Sequence, residues 1–365
     1  MSEVLSARAL NRATLARQLL LEPSPVDPLQ AVGRLVGLQA QVPGNPYVAL
    51  WSRLSTFDPE ELGQHLVARR LVRSAAIRGT IHLLTAEDCL SLWPASRPVL
   101  ERELRTHRDH APRLEGVELD DVMTWARSFL DQARTLPELK DGLRSAFPEL
   151  DAAALVLACR NRLALVQVPP RGLWGRSHQV TVTTLEAWVG RPLERPLPMD
   201  EQVLRYLAAF GPATAGDVAT WSRLPGFGPV VDGLRPRLHL VHDERGRALV
   251  DLPEAPRPDP GTPAPVRFLP EYDNVLLAHA DRTRFVDRDV SELYPPGRLG
   301  RGHVLVDGTL QATWIVDGDA IVVRHLDLPD AVLVEVAGVA ERLASFLGLA
   351  NVDARFEAVG GRGPR

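Results

Sequence analysis

Two glutamines separated by one residue, Gln39 and Gln41, are the side chains of this sequence whose types and spacing suggest chemistry. They stand just before residues 43–46, a turn-forming PGNP run. Two amides can hold a water molecule between them, although neither is a strong acid or base. On an α-helix, residues i and i+2 point about 200° apart, so both amides reach one ligand only where the chain is extended or turning. The competing interpretation is a pair of solvated glutamines at a helix end.

The elements around this triplet are predicted to form three successive units, each with helices followed by a β-hairpin. Hydrophobic periodicity and turn residues predict these hairpins at residues 72–84, 163–183 and 238–252. Helices followed by a hairpin are typical of a winged helix, an elaborated helix-turn-helix. Three such units in tandem favour binding to nucleic acid.

A proline-rich segment, residues 253–265, then separates these units from a region with a different period. Strands are predicted at 304–306, 310–316 and 321–326, joined by two Asp-Gly turns, with a helix at 337–348. The fold class is therefore α+β, with three tandem winged-helix units and a small C-terminal β-barrel-like domain. The predicted domains are 1–110, 111–197, 198–255 and 256–365.

Composition limits the remaining possibilities. The chain has 365 residues, a net charge of −4 and 45% hydrophobic residues, as in a globular protein. It has no apolar run long enough to span a membrane, and we expect a cytoplasmic protein. Cys89 and Cys159 are far apart and are expected to be buried thiols. The histidines show no metal-ligand spacing, so we expect no metal and no cofactor.

Arginine supplies almost all of the positive charge, because Lys140 is the only lysine among 42 basic residues. A GC-rich coding bias explains most of this preference, yet the planar guanidinium also suits phosphate. Arg69, Arg70 and Arg73 stand close together and are predicted to contact phosphates. A solvated basic surface without a ligand is the alternative.

Four segments carry a family resemblance: residues 37–41 (GLQAQ), 78–83 (RGTIHL), 170–176 (PRGLWGR) and 269–274 (LPEYDN). Together they resemble the bacterial winged-helix DNA glycosylases. The resemblance implies three winged helices and a β-barrel arranged as a C around duplex DNA. It also implies catalysis by a Gln-x-Gln or Gln-x-Asp triplet, which Gln39 and Gln41 match in its Gln-x-Gln form. That form resembles the branch that removes alkylated and crosslinked guanines.

Further DNA contacts are predicted in the same segments. Arg78 and His82 belong to the first hairpin, where His82 either faces DNA or serves a structural role. Arg171, Trp174 and Arg176 lie in the loop of the second hairpin. A tryptophan between two arginines suits a groove or an unstacked base, and packing of Trp174 beneath its own loop is the alternative.

The resulting hypothesis is a monofunctional DNA glycosylase that hydrolyses the N-glycosidic bond of N7-alkylated guanines, including bulky adducts and interstrand crosslinks. Its partner would be double-stranded DNA that contains such a guanine, bound by a monomer. The alternative is a non-catalytic winged-helix DNA-binding protein or transcriptional regulator. The carboxylates of Glu271 and Asp273 lie in a different predicted domain and are expected to be structural.

Overall fold

The structure, a computed structural model, describes residues 3–295 and 300–359. Thirteen α-helices are found in these ranges: α1 Ala7–Arg17, α2 Pro28–Arg34, α3 Asn45–Trp51, α4 Pro59–Val67, α5 Ala86–Thr106, α6 Asp120–Phe129, α7 Leu136–Ala146, α8 Ala152–Arg162, α9 Leu185–Val189, α10 Met199–Phe210, α11 Ala215–Ser222, α12 Phe227–Leu234 and α13 Asp330–Leu347. The same ranges contain fourteen strands: β1 Glu3–Leu5, β2 Leu38–Gln39, β3 Leu71–Ala75, β4 Ile81–Thr85, β5 Arg134–Thr135, β6 Leu165–Gln167, β7 Thr181–Thr184, β8 His239–Asp243, β9 Ala248–Asp251, β10 Arg267–Leu269, β11 Gly302–Val306, β12 Thr309–Asp317, β13 Ala320–His325 and β14 Arg355–Ala358.

The helix starts follow the capping residues in the sequence. Ser6, Asp27 and Asp58 each accept a hydrogen bond from a backbone N–H in the first turn of α1, α2 and α4. Reciprocal capping boxes open α7, at Thr135, and α11, at Thr214. Local sequence therefore determines where most of the helices begin.

The three predicted hairpins are present, but they do not form three separate sheets. The first hairpin, β3–β4, and the second, β6–β7, join through β3 and β6 into one sheet of order β2-β4-β3-β6-β7-β5. The third, β8–β9, takes the N-terminal strand β1 as a parallel neighbour. Pairing thus crosses the predicted domain boundaries, and the boundaries themselves remain predictions.

The C-terminal sheet has the order β10-β11-β12-β13-β14, with β14 parallel to β13. Within the described residues its edge strands do not pair with each other, so the expected barrel-like closure is not confirmed. Helix α13 packs on this open sheet through Val336, Ala340 and Leu343.

The proline-rich segment is fastened to α1 and is not a free linker. Arg8, Arg12 and Arg17 of α1 donate hydrogen bonds to backbone carbonyls of Pro260, Thr262 and Pro256. Arg17 also forms a fully buried ion pair with Asp251 at the end of β9. The N-terminal helix therefore holds the third hairpin and the C-terminal region in fixed relative positions.

Candidate active site

The chain leaves helical geometry immediately before the two glutamines. After α2, Val36 and Gly37 adopt positive φ angles of 55° and 87°. A Cβ on Gly37 would lie 2.5 Å from Leu84, so glycine is required here. Because a β-branched residue rarely adopts this conformation, Val36 marks local strain. The turn delivers the chain into β2, and the predicted departure from helix is confirmed.

Strand β2 brings Gln39 opposite His82 of β4. The backbone N–H of Ala40 continues the pairing with the carbonyl of Ile81 at 2.8 Å. Alternate residues of an extended segment point to the same side, so the geometry allows both amides to face one ligand.

Gln39 is buried and its amide orientation is fixed. Its Oε1 accepts a 2.8 Å hydrogen bond from Nη2 of Arg78. A guanidinium has no acceptor, so the atom facing it must be the oxygen of the amide. The two hydrogens on Nε2 of Gln39 therefore point away from Arg78, and Gln39 presents a donor to any ligand at the site.

The same arginine fixes the tautomer of His82, which is fully buried. Nη2 of Arg78 lies 3.4 Å from Nε2 of His82, and Nδ1 of His82 lies 2.9 Å from the carbonyl oxygen of Thr80. Nε2 must accept from the guanidinium, so Nδ1 carries the proton and donates to Thr80. Burial, followed by the charge of Arg78, lowers the pKa of His82 to about 3, and the ring is neutral.

Arg78 itself is a buried cation with φ of 60°. Besides Gln39 and His82, it donates to the carbonyl of Trp221 at 3.3 Å and to Oδ1 of Asn274 at 3.4 Å. Burial, with a contribution from Arg223, lowers its pKa to about 10, so it stays charged at neutral pH. All of these partners are neutral, and we call the set Gln39, Arg78, His82 and Asn274 the Arg78 cluster.

The Arg78 cluster is joined to a turn from the C-terminal region, residues 270–274. Asn274 donates from Nδ2 to the carbonyl of Gly37 at 2.7 Å, and Asn45 donates to the carbonyl of Glu271 at 2.7 Å. Both ends of the segment that carries the two glutamines are thus held by one turn. Asp273 anchors that turn through a buried bidentate pair with Arg53 at 2.8 and 2.9 Å, in keeping with the structural role predicted for it.

Gln41 differs from Gln39 in being exposed. Its Oε1 accepts a long 3.3 Å hydrogen bond from the backbone N–H of Ile81. The second lone pair of that oxygen remains available to a ligand. The triplet therefore pairs an immobilised donor with a lightly held acceptor.

A second buried arginine lies against the triplet. Arg73 is 2% exposed and donates from Nη2 to the carbonyl of Ala40 at 2.9 Å, while Gly172 covers its side chain. Its Nε and Nη1 have no hydrogen-bond partner among the described residues. Burial, and then the charge of Arg171, lowers its pKa to about 10. Because the Arg73 side chain is enclosed in this way, it has no surface that a phosphate could contact. The predicted phosphate contact is therefore corrected: Arg73 supports the backbone of the triplet.

Comparison with known proteins identifies the family. The sequence model of the family described as "DNA glycosylase AlkZ-like" matches residues 32–346. The chain belongs to the AlkZ-like DNA glycosylase family. It is therefore a DNA glycosylase, an enzyme of DNA repair, and DNA is its substrate. This decides against the non-catalytic alternative.

A solved structure shows the same fold. The DNA glycosylase AlkZ of Streptomyces sahachiroi superposes with a TM-score of 0.75 at 21% identity, over 97% of this chain and 100% of that one. No curated protein matches the sequence. At 21% identity the similarity to the solved structure shows the fold alone. The roles of individual residues in this chain are therefore inferred from the geometry of this chain.

The other predicted DNA contacts fall into two groups. Arg78 and His82 are buried, with 8% and 0% of their surfaces exposed. The predicted direct contact of these two residues with DNA is therefore corrected to the hydrogen bonds of the Arg78 cluster. Arg69, Arg70 and Arg176 are exposed. Arg69 stacks on Trp188, with 4.4 Å from its Cζ to the ring centroid.

The loop of the second hairpin is packed against the first unit. Trp174 is half-buried, with ring centroids 4.9 Å from Tyr47 and 4.8 Å from Phe346 of α13. The structure therefore favours the packing alternative for Trp174. Arg171 is half-buried and donates to the carbonyl of His178 at 2.8 Å within the same loop.

Other chemical groups can be placed briefly. Cys89 and Cys159 are buried free thiols, as predicted, and burial raises the pKa of each to about 12. In residues 3–295 and 300–359 no three His, Cys, Asp or Glu side chains are grouped as metal ligands. No helix in those ranges is both long and apolar enough to cross a bilayer.

Sequence reasoning missed one contributor to the site, Asn274. It belongs to residues 269–274, which carried part of the family resemblance, but nothing local in that segment indicates that it packs against the glutamines. The signal that could have drawn attention to it was the polar run EYDN directly after a short apolar strand.

Proposed function

We propose that this DNA glycosylase hydrolyses the N-glycosidic bond of N7-alkylated guanines, from methyl to bulky and crosslinking adducts. The observation that carries the proposal is the fixed amide of Gln39 beside the exposed amide of Gln41. The hydrogen-bond partners of the Arg78 cluster are neutral or cationic among the described residues. Such a site supplies positioning and little acid or base strength.

The mechanism follows from the two amides. Nε2–H of Gln39 donates to the oxygen of a water molecule, and Oε1 of Gln41 accepts one of its hydrogens. This leaves one lone pair of the water directed at C1′, and such positioning alone lowers a barrier by several kcal/mol, on the order of 7–11 in favourable cases. The transition state resembles an oxocarbenium ion.

The leaving group must supply the remaining activation. Guanine alkylated at N7 is cationic and departs without being protonated, whereas uracil and hypoxanthine need stronger assistance. Neither the amides nor the neutral His82 provides that assistance, since burial holds the pKa of His82 at about 3. We therefore expect selectivity for cationic bases and no covalent intermediate, because Lys140, the only lysine, lies in α7 and away from the triplet.

The test is incubation with duplexes that contain N7-methylguanine, uracil or hypoxanthine, with abasic sites quantified. We expect release of N7-methylguanine alone, without strand cleavage and without borohydride trapping. Glu271→Gln is the matched control, because Glu271 is the carboxylate of the turn at residues 270–274 that takes no part in the Arg53–Asp273 pair, and the variant should retain most activity. Loss of activity in Glu271→Gln, or efficient release of uracil, would replace the amide mechanism with one based on a carboxylate.

We also propose that the molecule binds duplex DNA as a C-shaped monomer, with winged helices against the backbone and Arg69, Arg70 and Arg176 on phosphates. The exposure of these three side chains supports this. Replacing Arg70 and Arg176 with alanine should reduce the salt dependence of binding by about one counterion per arginine. Fluorescence anisotropy at several salt concentrations measures the slope of log Kd against log salt concentration. A slope unchanged by the two replacements would mean that the DNA-binding surface lies elsewhere. Arg127→Ala, which removes an ion pair with Glu186 at the surface, is the control.

A further inference from the structure

A cavity of about 990 Å³ lies against the turn that holds the glutamine segment. Its floor is apolar and includes the buried Leu276 and Leu310. Tyr272 and Tyr294 also line it and are 38% and 40% exposed. Charged side chains such as Arg245, Asp281 and Arg282 line the remainder. Apolar and aromatic walls, some polar groups and a volume of roughly 300–1,000 Å³ are the properties of sites that bind small organic molecules.

Tyr272 is held at this cavity in a strained conformation. Its φ is 63°, a left-handed value that strains the backbone of a bulky residue. Three contacts hold the turn in this conformation. They are the Arg53–Asp273 ion pair, the hydrogen bond from Asn274 to the carbonyl of Gly37, and the hydrogen bond from Asn45 to the carbonyl of Glu271. These contacts keep a partly exposed phenol ring at the cavity against the local preference of the backbone.

His303 also lines the cavity, and its ring is held in one orientation. The ring hydrogen-bonds the backbone of Pro270, and since proline has no N–H the bond must be to the carbonyl oxygen. Nδ1 of His303 is enclosed by protein atoms and has no hydrogen-bond partner among the described residues, so Nε2 is the donor to Pro270. Burial lowers the pKa of His303, which keeps the ring neutral.

The cavity adjoins the candidate active site through shared residues. Glu271 and Asp273 line it, and the same turn holds Gly37 and Asn45 on either side of the two glutamines. A group that projects from a nucleotide placed at Gln39 and Gln41 therefore has this cavity beside it. The partly exposed ring of Tyr272 and the ring of His303 fit a ligand that is flat and aromatic.

We propose that this cavity binds a planar aromatic ring carried by the DNA substrate, with Tyr272 stacking on the ring. The inference rests on the proposed function and deepens it by assigning a subsite for substrate recognition. The ring has two possible sources, a displaced nucleobase or the aromatic arm of an adduct.

The experiment uses two duplexes, one with N7-methylguanine and one with a guanine whose N7 arm ends in an indole. Wild type, Tyr272→Ala, Tyr272→Phe and the exposed control Phe356→Ala are compared for kcat/KM and for binding by anisotropy. Stacking of one ring is worth about tenfold or more in affinity. If the ring belongs to the adduct, Tyr272→Ala loses about tenfold on the indole duplex only. If it is a displaced base, the loss is equal on both duplexes.

Tyr272→Phe should retain the wild-type values, because the ring remains. Tyr272→Asn should raise Tm while losing ring binding, because asparagine tolerates the left-handed backbone. Values for Tyr272→Ala within twofold of wild type on both duplexes would overturn the proposal.

The binding measurement separates this inference from the proposed function. If wild type released no N7-methylguanine, the proposed function would fail, yet tighter binding of the indole duplex that depends on Tyr272 would still support the cavity. If wild type released the base and Tyr272 had no effect on binding or turnover, the cavity assignment alone would fail.

Discussion

Gln39 and Gln41 are two residues apart and occupy opposite environments. Gln39 is 8% exposed and its carbonyl is bound by a buried guanidinium at 2.8 Å, whereas Gln41 is exposed and has one contact of 3.3 Å. The first amide is oriented before any ligand arrives, and the second is free to adapt. The comparison suggests that precision comes from the buried end of the triplet and tolerance of different adducts from the exposed end.

The largest effect is expected at Gln39. Gln39→Ala removes the positioned donor and should lower kcat for N7-methylguanine by about 10²-fold or more, as for loss of one preorganised donor. Gln39→Glu keeps an acceptor for Arg78 and loses the N–H, so it should be equally inactive while remaining folded. DNA affinity should stay near wild type in both. Substantial activity in Gln39→Glu would show that the donor assignment is wrong.

Arg78 should act through Gln39 and not on the substrate. Lysine in place of Arg78 cannot serve all four groups that accept from the guanidinium. In Arg78→Lys the Gln39 amide therefore becomes free to rotate, and kcat should fall about tenfold with KM little changed. The decisive measurement is a double-mutant cycle. In a Gln39→Ala background, Arg78→Lys should have almost no further effect on kcat. Additive losses would mean that Arg78 contributes independently of the amide.

At Gln41 the expected change is smaller and concerns specificity. Gln41→Ala should lower kcat by up to about tenfold, because the adaptable acceptor is lost while the Gln39 donor remains. Gln41→Asp replaces the amide with a better base and a stabiliser of the oxocarbenium ion, so the spectrum of released alkylpurines should change. Assays on N3- and N7-alkylpurine duplexes test this. The same spectrum and rate in Gln41→Asp would leave Gln41 without a role in water activation.

Much of this arrangement was accessible from sequence, and the exceptions have physical causes. Caps such as Asp27, Thr135 and Thr214 and the hairpin turns are encoded within a few residues, so helices and hairpins were predicted well. Departure from helix at the glutamines followed from their spacing and the prolines after them. The partners of Gln39 were not accessible, because Asn274 lies 235 residues further along the chain.

The arginines show why burial was the hardest property to predict. Arg69, Arg70 and Arg73 look alike in sequence, yet the first two are exposed and Arg73 is enclosed beneath Gly172. Arg69 and Arg70 precede β3, whereas Arg73 lies within it, where residues 71–74 are all buried. The strand is enclosed because β6 pairs with it and Gly172 packs on Arg73, and both contacts are long-range. Whether the C-terminal sheet closes likewise depends on whether its edge strands, β10 and β14, pair with each other, and local sequence does not determine this.

The smallest effect concerns pH and tests whether His82 belongs to the immobile end of the triplet. Burial lowers its pKa from 6.5 to about 3, so the folded state binds fewer protons than the unfolded chain between these values. The stability that neutral His82 contributes is present above pH 6.5 and is lost progressively as pH falls towards 3. Between pH 7 and pH 5 the loss from this one residue is roughly 2 kcal/mol, from about 1.4 kcal/mol per pH unit.

His82→Gln cannot take up the proton, so its free energy of unfolding should fall less between pH 7 and pH 5 than that of wild type. The decline should not vanish, because burial also lowers the pKa of His279 to about 3, and it titrates in the same direction. Urea denaturation at a series of pH values measures the difference. A slope in His82→Gln equal to that of wild type would mean that His82 is not held neutral, and then its tautomer could not be the one that the Arg78 cluster requires.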